Sequence, residues 1–169
     1  MPKRYIVLKW LAYGGATAVL LLLQTGVFHY IRLWGVVPFL APMVVGVAAS
    51  FEDGIPSSLF ALVFGILCDL GGATPVMGFF TFLFPLAALT ASFLAENLFS
   101  PGFPCSLVSS FFCYLIVAGG RIILFLIDGE TGVWDMWYLA LREFLVSLPL
   151  LAVVFPLFRW VHRRTTFDY

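Results

Sequence analysis

Residues 51–78 read FEDGIPSSLFALVFGILCDLGGATPVMG, and this stretch decides the fold. Two acids, Glu52 and Asp53, precede an apolar run from Gly54 to Cys68, which ends on a lone Asp69, a glycine pair and Pro75. On a helix turning about 100° per residue, Gly54, Ser58, Ala61, Gly65 and Asp69 fall within an arc of roughly 80°. One face is therefore made of small residues ending in a carboxylate, and the other carries Leu59, Phe60, Val63 and Ile66. Small faces let helices approach closely in lipid, so this one is expected to pack against another helix of the chain or against a partner. Internal packing is expected for Gly54 to Ala61, most simply on the first or last span, with the Gly65–Asp69 end nearer a partner. A carboxylate at such a position needs a partner, water or the interface. Asp69 is thus either the wet end of a tight helix pair or part of a buried polar site that positions another helix.

The rest of the chain places this helix in a membrane. Of 169 residues, 62% are hydrophobic and only 11% charged, with a mean hydropathy of +1.05. A soluble domain carries roughly a quarter charged residues. Long runs without acid or base separate the charges, and a bilayer needs about 20 apolar residues per spanning helix. The expected fold is all-α: one polytopic transmembrane domain covering residues 1–169, with six spans near 10–28, 35–51, 55–70, 75–95, 105–127 and 136–159. The first run is read as a retained span, not a signal peptide. Pro38 and Pro42 fall in the first turns of the second span, where proline costs least. Phe79, Phe80, Phe82 and Phe84 read as packing and lipid contact.

An even number of spans puts both termini on one side, and both are basic: Lys3, Arg4 and Lys9 at one end, Arg159, Arg163 and Arg164 at the other. The positive-inside rule then places both in the cytoplasm. Trp10 and Trp160 fall at the inner interface, and Trp34, Trp134 and Trp137 at the outer one, with His29 and Arg32. In this topology Asp69, Arg121, Arg142 and Glu143 form an outer-side polar cluster. Charges at depth pair or face a cavity, so Asp69 is expected to meet Arg121; the alternative is that Arg121 and Arg142 snorkel separately to the headgroups. Arg142 and Glu143, adjacent on a helix, cannot face each other.

The net formal charge is zero, so nothing points to nucleic acid. Cys68, Cys105 and Cys113 form no metal pattern. No nucleophile elbow, zinc-protease helix, phosphate loop or dinucleotide fingerprint occurs. No catalytic, cofactor-binding or metal-binding residue is assigned, and an enzyme is not expected.

Pro38, Gly54, the GILCDL run with Gly65 and Asp69, and the PVMG turn with Gly78 resemble the bacterial rod shape-determining protein MreD family. Length and expected topology agree with that family, while the acidic Glu52–Asp53 turn departs from many of its members. The resemblance implies a plasma-membrane scaffold of the cell-elongation machinery, without enzyme activity or cofactor. It implies binding to an MreC-type single-span partner and support of a RodA-type glycosyltransferase and its transpeptidase in lateral peptidoglycan synthesis. The family is also similar in fold to the substrate-binding subunits of energy-coupling-factor transporters. A vitamin-type small-molecule binding subunit is therefore the alternative; it would need a polar pocket lined from several helices.

Overall fold

The computed structural model describes residues 3–26, 30, 34–71, 76, 78–98, 102–129 and 132–166. Among them the chain forms six helices: α1 (Lys3–Gly26), α2 (Ala41–Phe51), α3 (Gly54–Leu70), α4 (Phe79–Leu98), α5 (Phe103–Ile127) and α6 (Val133–Thr166). His29 and Arg32 of the expected interface, and Gly72 and Pro75 of the expected turn, lie outside the described residues. The expected all-α class holds, and the protein is membrane-embedded. Among the described residues, three helices are long and apolar enough to cross a bilayer: Phe79–Asn97, Phe103–Ile127 and Val133–Arg163.

The second expected span, 35–51, is much shorter as a helix. Trp34 and Gly35 turn the chain with φ of 54° and 78°, and residues 36–40 are not helical. Pro38 disfavours helix at the residue before it, while Pro42 sits in the first turn of α2, where its missing N–H costs nothing. The resulting α2 has 11 residues, about 16 Å at 1.5 Å per residue, or roughly half a bilayer core. It is the centre of the bundle and packs on α3, α4, α5 and α6. Every residue from Ala41 to Ala49 is buried. A short helix with a non-helical approach is tolerated at this depth because protein, not lipid, surrounds it.

Small residues set the closest approaches. A Cβ on Gly46 of α2 would lie 2.5 Å from the Ser110 Cα of α5. A Cβ on Gly65 of α3 would lie 2.5 Å from the Phe80 carbonyl oxygen of α4. Hydroxyls join the same seams. Ser50 and Ser106 lie 2.6 Å apart, Ser57 and Ser92 2.7 Å, and Ser92 also donates to the Ala49 carbonyl. Such interhelical hydrogen bonds are a common glue between helices in lipid.

The buried face of α3 is rotated from the expected one. It is formed by Ser57, Phe60, Ala61, Phe64, Gly65 and Cys68, while Gly54 and Ser58 are half-buried. Phe60, expected on the outer face, belongs to the core; Leu59, Val63 and Ile66 are exposed. The large rings explain the rotation, because Phe60 and Phe64 fill the space between α1, α4 and α6 by packing on Tyr13, Phe84 and Phe158. The α4 phenylalanines divide similarly: Phe79, Phe80 and Phe84 are buried and Phe82 is exposed.

Candidate functional site

Asp69 ends the α3 packing face, and its carboxylate reaches the first turn of α4. Oδ1 accepts from the Phe80 N–H at 3.1 Å. Oδ2 accepts from the Thr81 N–H at 2.9 Å and the Thr81 hydroxyl at 2.6 Å. The first amides of a helix lack intrahelical acceptors, and a capping side chain normally supplies one. Here the residue before α4 is Gly78, with φ 85° and no side chain. Asp69 does this work from the neighbouring helix, with its charge at the positive end of the α4 dipole. Asp69, itself half-buried, thus holds the start of α4 in place, and the Gly65–Asp69 end packs within the chain on α4. Gly65 and Asp69 therefore pack on α4 and not, as expected for the small-residue face, on the first or last span.

The expected Asp69–Arg121 pair does not form either. Arg121 Nη1 donates to Glu143 Oε2 at 2.7 Å, with both side chains largely buried. The guanidinium also sits over the Phe39 ring, 4.9 Å from its centroid. Arg142 turns away from Glu143 and stacks on Tyr138 at 4.3 Å, donating to its hydroxyl at 3.1 Å. The outer-side cluster of the sequence reading is therefore three separate arrangements. Glu143 wins Arg121 because α5 and α6 are neighbours, while Asp69 is consumed by α4.

The approach to α2 is capped beside the Arg121–Glu143 pair. Ser147 of α6 accepts from the Phe39 N–H at 3.0 Å. Gln24 of α1 accepts from the Leu40 N–H at 3.1 Å. The Tyr114 hydroxyl donates to the Phe39 carbonyl. Backbone groups left unpaired in a broken membrane helix would be costly; side chains from α1, α5 and α6 meet three of those of Phe39 and Leu40, and the Val44 N–H meets the Leu40 carbonyl.

The other end of α2 carries a centre that the sequence reading did not assign. Glu52, in the α2–α3 turn, has a side chain only 8% exposed. Lys9 of α1 lies 2.6 and 2.7 Å from its two oxygens. The Tyr13 hydroxyl donates to Oε1 at 3.1 Å, and His162 Nδ1 of α6 lies 3.3 Å from Oε1. Burial works against the carboxylate, but hydrogen bonds from His162, Lys9 and Tyr13, with the Lys9 charge, outweigh it and hold its pKa below the ordinary value of 4.5. Expected topology already contained the signal: Lys9, Glu52 and His162 all fall on the side of the termini. A hollow of about 300 Å³ beside Glu52 is lined by Ser50, Asp53, Glu96, Cys105 and His162 among others.

Two further features bear on binding. Between α1 and α3 runs an apolar groove of about 450 Å³, lined by Trp10, Gly14, Thr17, Leu59, Val63 and Leu67 among others. A Cβ on Gly14 or Gly15 would meet nothing within 4 Å. Among the described residues, no group of three His, Cys, Asp or Glu side chains could hold a metal ion. The chain matches no family model, no curated protein and no solved structure.

Proposed function

We propose that the protein is a non-enzymatic scaffold of the MreD type in the bacterial plasma membrane, with both termini cytoplasmic. It holds an MreC-type single-span partner and so supports a RodA-type glycosyltransferase and its transpeptidase in lateral peptidoglycan synthesis. The observation supporting this reading is the groove between α1 and α3. Gly46 and Gly65 are spent on contacts inside the bundle, whereas Gly14 borders an open apolar groove. A glycine on a lipid-facing groove lets a partner helix approach closely. The alternative, a small-molecule binding subunit, draws on the polar hollow beside Glu52.

Solubilisation of native membranes in mild detergent and purification through this chain tests the two readings together. The scaffold reading expects a single-span membrane protein in the eluate, lost in Gly14→Leu while the chain keeps its own thermal transition. A stoichiometric small molecule with no protein partner would replace this reading by the alternative.

A further inference from the structure

Arg142 lies within the membrane-crossing helix α6, about 14 Å along its axis from Val133 at 1.5 Å per residue. Among the described residues no carboxylate comes within ion-pair distance of it; Glu143 is taken by Arg121. Its partners are the ring and hydroxyl of Tyr138. One hydroxyl uses a small part of a guanidinium's five N–H donors, and a charge in a membrane segment calls for an opposite charge or water.

Beside Arg142 is an open hollow of about 490 Å³, lined by Trp34, Tyr138, Leu141, Arg142 and Leu145. Its composition is specific: one cation, two amphipathic aromatics and two leucines. Trp34 is also the only non-glycine among the described residues with positive φ, at 54°. That conformation is unfavourable for a bulky side chain and persists where its surroundings over-determine it. Tryptophan and tyrosine settle at headgroup level, leucines match hydrocarbon, and a guanidinium matches phosphate geometrically by paired hydrogen bonds.

We propose that this hollow binds an anionic phospholipid, with Arg142 holding the phosphate, Trp34 and Tyr138 flanking the headgroup, and Leu141 and Leu145 seating the acyl chain. The site stands apart from the scaffold reading: it involves neither the α1–α3 groove nor the Asp69 and Glu52 centres.

Native mass spectrometry of the full chain in detergent tests it, with phosphatidylglycerol and diacylglycerol of the same acyl chains as probes. The wild type is expected to prefer phosphatidylglycerol about tenfold, the scale of a charge-assisted hydrogen bond, and Arg142→Gln to lose that preference. Arg159→Gln, removing an exposed cation at the other end of α6 that sits over Phe155, is expected to leave it unchanged. Equal preference in Arg142→Gln and wild type overturns the site, and is also the outcome if a protein carboxylate is the true partner. An equal loss in Arg159→Gln overturns it in favour of general charge attraction. Competition by inorganic phosphate at the lipid's own concentration overturns the lipid as ligand. Should Arg142→Gln lower the thermal transition, Trp34→Ala decides: a weakened preference supports the site and an unchanged one overturns it.

Discussion

Asp69 and Glu52 each close an apolar helix with a carboxylate, and they are satisfied in opposite ways. Asp69 takes two backbone amides and a hydroxyl from residues 11 and 12 positions away. Glu52 takes side chains 39, 43 and 110 positions away. The difference follows from the helix ends they meet. Asp69 faces the N-terminus of α4, where unpaired amides and the helix dipole already supply positive charge. Glu52 sits at the C-terminus of α2, where the dipole is negative, so its compensation has to come from Lys9 and from hydrogen-bonding partners on α1 and α6. The Asp69 centre forms with the α3–α4 pair; the Glu52 centre forms only when both ends of the chain are in place.

The sharpest way to break the local centre is to separate α3 from α4. Gly65 lies one turn before Asp69, and any side chain there meets the Phe80 carbonyl and the Thr81 backbone. Because backbone cannot yield as a side chain tip can, Gly65→Leu should cost about 3 kcal/mol or more and remove most folded protein from the membrane. Leu59→Phe, on an exposed part of the same helix, should change the thermal transition little. Equal membrane levels and transitions for Gly65→Leu and wild type would show that the two helices do not meet as described.

Asp69→Ala comes next. It leaves the Phe80 and Thr81 amides and the Thr81 hydroxyl without their acceptor. Loss of a cap and of charge-assisted hydrogen bonds predicts a cost of about 2 kcal/mol. Asp69→Asn keeps one acceptor oxygen and should recover part of it. The check is thermal unfolding in detergent for both variants. If Arg121→Gln is added to Asp69→Ala, the two costs should sum, because the residues share no contact; a combined cost well below the sum would restore the discarded Asp69–Arg121 pair.

This contrast also explains what could be read from the chain. The apolar runs mark six helices, because period and length act locally, but α1 begins at Lys3, α2 begins at Ala41 and α6 ends at Thr166, each six or seven residues from the expected bound. The α2 start was misplaced because the 36–40 segment is held by Gln24, Tyr114 and Ser147 from three other helices, and apolar composition there cannot tell helix from a buried extended approach. A positioning role for Asp69 is only one of the two readings its sequence allows, and the partner expected for it is the wrong one: depth and charge point to a cation, whereas the helix terminus a short turn away is the nearer source of positive potential. Glu52 was passed over because a charge in a turn between spans reads as solvated, although expected topology had gathered Lys9, Glu52 and His162 on one side. The face of α3 was rotated because small residues mark where backbones can approach, but the burial of Phe60 and Phe64 outweighs them.

The smallest expected effect sharpens the non-local centre through pH. Glu52→Gln keeps shape and one acceptor, and Lys9 and His162 are partly exposed, so both can regain water. The cost near neutrality should be about 1 kcal/mol, the scale of a net hydrogen bond. The sign of the acid response is fixed by linkage. The carboxylate's pKa lies below 4.5 in the folded protein, so as pH falls through that value the unfolded chain takes up a proton before the folded one does. The stabilisation is fully present above the unfolded value and disappears as pH falls through the folded one. Thermal unfolding of wild type and Glu52→Gln in detergent, compared from about pH 6 down to about pH 3.5, should therefore converge: wild type the more stable at the upper end, the gap closing below 4.5. Asp69→Asn does not touch this centre, so the difference between it and Asp69→Asn/Glu52→Gln should close in the same window. A gap that stays constant across the range would mean that Glu52 gains nothing from Lys9, Tyr13 and His162 on folding, and the turn between α2 and α3 would then be a solvated turn after all.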